Sequence, residues 1–315
     1  MLGLLFPGQG SQFVGMGRDL AETDAAVRAL FEEADELLGL PLSRVCWEGP
    51  AATLTRTDHA QPAILLHSVA VWELLRRRWP DLPVAMAAGH SLGEFSAHAA
   101  AGTFDWRDAL HLVRLRGQLM AEAGAARPGT MVAVLGLDDV VVERVCAEAS
   151  GPDGVVVAAN FNAPGQVVIS GDVIAVERAK PLLEAAGARR VLPLVVSGAF
   201  HSPLVAPARE GLAAALAQVP MQPPRWPVVA NVTGQPAPSE PDAIRQLLVD
   251  QLTSPVRWVD GVRTMVAAGV RRFWELGPGT VLSGLVRRIA PEADARSIGT
   301  LRDLEALEAE AATWN

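Results

Sequence analysis

The chain has 315 residues, half of them hydrophobic and a fifth charged, with 27 basic against 35 acidic side chains for a net charge of −8. That length supports a full core in one large domain or two modest ones, and the composition is that of a folded protein, not a disordered one. The acidic balance argues against binding nucleic acid or an anionic membrane through bulk charge, although a local arginine patch can still meet an acidic partner.

The opening residues MLGLLFPGQG carry no basic segment and reach Pro7 too early for a signal peptide. Residues 3–6 read as a first strand that ends in the loop PGQGSQ. Residues 24–38 and 63–78 read as amphipathic helices, and 84–88 as a short buried strand. That strand runs into Gly89-His90-Ser91-Leu92-Gly93 and an alanine-rich helix stopped by Gly102, followed by a helix over 106–123. From 130 to 196 the pattern is strand 131–135, helix 138–150, strand 155–160, strand 166–170, helix 173–186, strand 190–195. This β-α-β-β-α-β order is ferredoxin-like and predicts a subdomain over 128–197, inserted in an α/β core made of 1–127 and 198–315. Beyond Phe200, helices and strands resume, with proline-rich turns at 220–227 and 236–241, a strand at 272–276 and a helix at 281–289. Between these last two, Gly277-Pro278-Gly279-Thr280 reads as a turn with no chemistry of its own. No uninterrupted apolar run of about 18 residues is present, so no spanning helix is expected. Cys46 and Cys146 are too few for a disulfide framework or a zinc site and are expected to be buried thiols, so a soluble cytoplasmic protein is the default.

Residues 89–93 match G-x-S-x-G. Between a strand and a helix this pattern holds a serine on a tight bend, and the amide of Leu92 opens a helix whose dipole favours a forming oxyanion. The alternative is a glycine-flanked serine that caps the helix. A serine nucleophile needs a base. Of the six histidines, His90 adjoins Ser91 and should point away, and His98 lies seven residues on, about 10 Å along the helix. His67 falls inside a helix and His59 in a polar loop, whereas His111 stays open by spacing. His201 lies in SGAFHSP, a loop after an expected buried strand, where catalytic groups collect.

The loop at 6–12 is neither a dinucleotide fingerprint nor a P-loop. Its glycines let the Gln9 backbone approach another loop, as a second oxyanion donor or merely as a tight turn. Arg116 has Leu112, Val113, Leu119 and Met120 as its helical neighbours and therefore projects toward the core. A buried guanidinium demands a carboxylate or phosphate, supplied either by a ligand or by an internal salt bridge.

Taken together, FPGQGSQ at 6–12, GHSLGE at 89–94, RLRG at 114–117, NFNAPGQVVISG at 160–171, SGAFHSP at 197–203, NVTG at 231–234, QLTSPVRW at 251–258 and ELGPGTVLSGL at 275–285 resemble the malonyl-CoA:acyl carrier protein transacylases over nearly the whole chain. The resemblance implies an α/β-hydrolase-like core with an inserted ferredoxin-like subdomain. It implies Ser91 as the nucleophile that carries the acyl group and His201 as its general base. It implies an oxyanion hole from the backbone amides of Gln9 and Leu92, and a main-chain carbonyl of Gln251 in the third triad position. Arg116 would pair with the free carboxylate of malonate. Phe200, just before the histidine, accompanies malonyl selectivity in related domains, although the preceding Gly198-Ala199 matches that subset only in part. The partners implied are malonyl-CoA and a holo acyl carrier protein, with CoA as a substrate and no bound cofactor or metal. Because such a carrier is usually acidic, Arg189, Arg190, Arg287 and Arg288 are candidate docking charges, or else simply solvated ones. The alternatives are a thioesterase-like serine hydrolase, a non-catalytic docking module, and the transacylase component of a malonate decarboxylase.

Overall fold

Two sheets of different kind organise residues 1–311, which are the residues described by the computed structural model. The strands are β1 (Leu2–Phe6), β2 (Val84–Gly89), β3 (Gly129–Leu135), β4 (Val156–Ala163), β5 (Gln166–Asp172), β6 (Arg190–Pro193), β7 (Val228–Val229), β8 (Arg272–Leu276) and β9 (Asp294–Ile298). The first sheet has the order β7-β2-β1-β8-β9 and every pairing in it is parallel. A parallel sheet carries helices on both faces, which is why β1 is an unbroken apolar run that is buried throughout. Leu2, Leu4 and Phe6 enter one core cluster and Leu5 the other, as the two-residue period of a strand requires.

The second sheet is antiparallel, β4-β5-β3-β6, and all its strands fall between residues 129 and 193. Helices Asp139–Ala149 and Val173–Ala185 pack on one face through Val132, Val134, Val142, Val145 and Val176. Met131, Ala159 and Val168 from this sheet join the main core cluster instead. The two sheets therefore share buried surface, and the functional cavity lies where they meet.

Most predicted elements form within a few residues of their expected limits, and the departures have local causes. The helix expected from residue 63 begins at Thr57 and carries Pro62 inside it. A proline lacks the N–H that would bond the carbonyl four residues back. Here that carbonyl belongs to Asp58, and the Arg114 guanidinium donates to it instead. His59 accordingly sits in the first turn of a helix and not in a polar loop. The strand expected to be buried at 190–195 is an edge strand that stops at Pro193, and Val195 beyond it is 92% exposed. Short helices at Arg18–Thr23, Leu42–Glu48 and Ala51–Thr55 carry too few residues for their periodicity to show in the sequence. Cys46 and Cys146 are buried free thiols. Among the described residues, no helix is long and apolar enough to cross a membrane.

Candidate active site

Strand β2 ends at Gly89, and Ser91 follows with φ +53°, a backbone conformation uncommon for a non-glycine residue. The two flanking glycines are there for space. A Cβ on Gly89 would stand 1.9 Å from the backbone of Gly93, and a Cβ on Gly93 would stand 2.1 Å from the Phe6 carbonyl oxygen. The bend is held on both sides of the serine. The Ser91 N–H donates to Asn231 Oδ1 at 2.7 Å, and its carbonyl accepts from Gln251 Nε2 at 3.0 Å.

The Ser91 hydroxyl lies 2.8 Å from His201 Nε2. On the far side of the ring, Nδ1 donates to the carbonyls of Gln251 at 2.9 Å and Ser254 at 3.2 Å. Two carbonyl acceptors fix the proton on Nδ1, which leaves Nε2 to accept the serine proton. The expected carbonyl of Gln251 therefore stands where a triad carboxylate would stand. Burial, followed by the nearby Arg116 cation, pushes the His201 pKa down to about 3, so the ring is neutral at physiological pH. Four other histidines are engaged elsewhere: His67 with the Gly299 carbonyl, His90 with Asn162, His98 with Thr103, and His59, whose Nδ1 stands 3.1 Å from Asp58 Oδ1. His111 lies on the exposed side of its helix.

Arg116 is 1% exposed, as its apolar helical neighbours required. Its guanidinium donates to Gln61 Oε1 at 2.8 Å, Gln251 Oε1 at 2.9 Å and Ser91 Oγ at 3.0 Å. All these acceptors are neutral. The internal salt bridge considered from sequence is not formed, because no carboxylate among the described residues bonds this cation. Burial lowers its pKa to about 10, against the opposing charge of Glu94, and the group stays cationic at physiological pH.

The loop after β1 packs against the elbow so closely that a Cβ on Gly8 would lie 2.5 Å from the His90 carbonyl oxygen. Among the described residues, neither the Gln9 N–H nor the Leu92 N–H donates to a protein acceptor. The Gln9 side chain is tied to Thr57 Oγ1 at 3.2 Å, and Thr57 lies 2.8 Å from Ser197 Oγ in the loop that carries His201. Gln9, Ser91, Leu92, Arg116, Phe200 and His201 all line one cavity of ≈ 360 Å³. Phe200 is buried there, and Met120, Met131, Val168 and Leu285 complete apolar walls from both sheets' surroundings. Of the arginines considered for docking, Arg287 donates to the Ala295 carbonyl and Arg288 to the Pro164 carbonyl, while both remain exposed.

Sequence reasoning missed several parts of this arrangement. Gln251 was expected to act through its main chain, yet its side chain also bridges Arg116, the Ser91 carbonyl and Glu94. Asn231 lies just beyond the end of β7, at the carboxyl edge of the parallel sheet where ligand-contacting loops gather, and its place at the head of NVTG was its available signal. Gln61 gave none, and Glu94 only its place at the end of GHSLGE.

Residues 4–312 match the model of the acyl transferase domain family. The chain is 44% identical over 305 residues to the malonyl CoA-acyl carrier protein transacylase of Haemophilus influenzae, covering 97% of each chain. It superimposes with a TM-score of 0.93 on the malonyl-CoA:acyl carrier protein transacylase of Xanthomonas oryzae, at 46% identity and 98% of each chain. The TM-score is also 0.93 against a malonyl-transacylase solved in complex with a type II PKS acyl-carrier protein, at 41% identity, covering 98% of this chain and 99% of that one.

Proposed function

This chain belongs to the malonyl-CoA:acyl carrier protein transacylase family of acyl transferases, and from that premise we propose that it moves a malonyl group from malonyl-CoA to the phosphopantetheine thiol of a holo acyl carrier protein, by way of a malonyl ester on Ser91. The observation that carries the substrate is the buried Arg116 cation, bonded only to neutral acceptors and 3.0 Å from the nucleophile oxygen. An acyl group with its own carboxylate supplies the anion that this geometry lacks.

In the first half-reaction His201 Nε2 takes the Ser91 proton as Oγ attacks the thioester carbonyl. The developing oxyanion is received by the Gln9 and Leu92 amides, and the CoA sulfur leaves with the proton returned by His201. In the second, the carrier thiol gives its proton to His201 and attacks the ester, and Ser91 recovers its hydrogen. CoA enters as a substrate, and the scheme calls on no bound cofactor. Transfer in place of hydrolysis requires that water be kept from the ester, a role this reading assigns to the apolar walls around Phe200. A cytoplasmic setting belongs to the same reading, supported by the two buried free thiols.

Enzyme mixed with malonyl-CoA and holo carrier should yield malonyl carrier, and apo carrier, which has no thiol, should accept nothing. Free malonate accumulating at the same rate with or without holo carrier would contradict the assignment and indicate a hydrolase. Phe200 is buried beside His201 at the cavity wall and is proposed to limit room for an α-methyl group. Phe200→Ser should therefore improve methylmalonyl-CoA relative to malonyl-CoA by about 1–3 kcal/mol, the usual worth of one methyl in a pocket. An unchanged ratio of specificity constants in a folded variant removes Phe200 from that role.

A further inference from the structure

Glu94 lies one residue beyond the second glycine of the elbow, in the first turn of helix Gly93–Ala101, and is 0% exposed. It touches neither Ser91 nor His201 nor Arg116 through a hydrogen bond. Its Oε2 accepts from the backbone N–H of Asn231 at 3.1 Å and from Gln251 Nε2 at 2.6 Å. Those two residues hold the nucleophile's backbone from opposite sides. Asn231 accepts from the Ser91 N–H at 2.7 Å and donates to the Gly89 carbonyl at 2.7 Å, while Gln251 donates to the Ser91 carbonyl at 3.0 Å. Gln251 also presents Oε1 to Arg116 at 2.9 Å. An amide side chain can flip, and reversed it would offer Arg116 an NH2 group and a clash of donors. Three partners agree on which way it points: Arg116 donates to Oε1, while the Ser91 carbonyl and Oε2 of Glu94, which also receives the Asn231 N–H, both accept from Nε2.

We propose that Glu94 is a positioning residue that anchors the Gln251 amide from behind, and through it the register between the Arg116 guanidinium and the Ser91 elbow. The elbow serves every acyl group, whereas Arg116 serves only one that bears a carboxylate. Glu94 thus contributes to the preference for malonyl over acetyl without contacting either. The proposal rests on Arg116 being the malonate-binding group.

The test compares kcat/KM and KM for malonyl-CoA and acetyl-CoA in wild type, E94D and E94Q, with thermal melting of each. E94D keeps the carboxyl and draws it back by one methylene, away from both donors. Its malonyl kcat/KM should fall by about tenfold or more, mainly through KM, the order expected when a hydrogen bond in a charged array is lost. Its acetyl kcat/KM should fall much less, so the malonyl-to-acetyl ratio drops. E94Q keeps the reach and can leave its carbonyl at the Oε2 position, with its NH2 on the side where Oε1 has no protein partner. It should melt lower yet rescue the ratio to within about threefold of wild type, since the lost stability belongs to a buried unpaired donor and not to the site. A ratio unchanged in folded E94D, or lost in folded E94Q, overturns the proposal. If E94D does not fold, E94Q alone decides, because a lost ratio there assigns the effect to charge in place of position. A wild-type enzyme with no preference for malonyl-CoA would instead overturn the functional reading itself.

Discussion

Arg116→Ala is expected to lose malonyl transfer by roughly 10²–10⁴-fold while acetyl transfer is unchanged or improved. The guanidinium is buried, its acceptors are neutral, and its Nη2 reaches the oxygen that carries the acyl group. Removing one member of a desolvated ion pair typically costs about 3–5 kcal/mol, because the other charge is left unpaired. At about 1.36 kcal/mol per decade, that is the loss stated for malonyl-CoA. Acetyl-CoA brings no carboxylate. Its transfer also gains from the loss of a cation that donates to Ser91 Oγ in the free enzyme and that adds to burial in holding the His201 pKa low. Specificity constants for both thioesters, taken with thermal melting, check the prediction. Parallel losses on the two substrates together with a lowered melting point would make Arg116 a structural cation and remove the carboxylate clamp.

His201→Ala is the second large effect, and its pattern differs. Nε2 lies 2.8 Å from Ser91 Oγ and the ring is neutral, so it is ready to accept a proton. General-base catalysis of this kind contributes about 10²–10⁴-fold. The loss should fall equally on malonyl and acetyl groups and on both half-reactions, because the same nitrogen handles the proton in each. Pre-steady-state release of CoA thiol measures the first half-reaction, and transfer from isolated malonyl-enzyme to holo carrier measures the second. A variant slowed in only one of them, or slowed only with malonyl-CoA, would require a different base.

Much of this site was legible in the sequence because its constraints are local. The glycines at 89 and 93 announce a bend too tight for side chains, and the backbone approaches of 1.9 and 2.1 Å are the physical content of that pattern. Four apolar neighbours at helical spacing sufficed to bury Arg116, and the structure then removed the salt-bridge alternative that spacing had left open. The pairing of Ser91 with His201 spans 110 residues and came from family resemblance and not from periodicity. What remained hidden depends on contacts at long range with no sequence period. Glu94 meets Gln251 across 157 residues and Asn231 across 137, and nothing near GHSLGE distinguishes a buried acid from an ordinary helix-opening glutamate. The start of helix Thr57–Arg78, ahead of residue 63, was hidden for a similar reason, since the donor that replaces the missing N–H of Pro62 comes from Arg114 on another helix. The ferredoxin-like order of strands and helices was readable, whereas the exposure of β6 was not: an edge strand and a central one can share the same apolar residues, and sheet order alone decides which is buried.

The central claim is a covalent malonyl group on Ser91 that a carrier thiol then removes. Intact-mass analysis of wild-type enzyme after brief exposure to malonyl-CoA, followed by peptide mapping and by a chase with holo acyl carrier protein, tests it most directly. The account predicts a single malonyl adduct on the peptide containing Ser91, absent from Ser91→Ala and discharged onto the carrier during the chase. An adduct that survives in Ser91→Ala, one that maps to another peptide, or one that decays to free malonate at a rate the carrier does not change would contradict it.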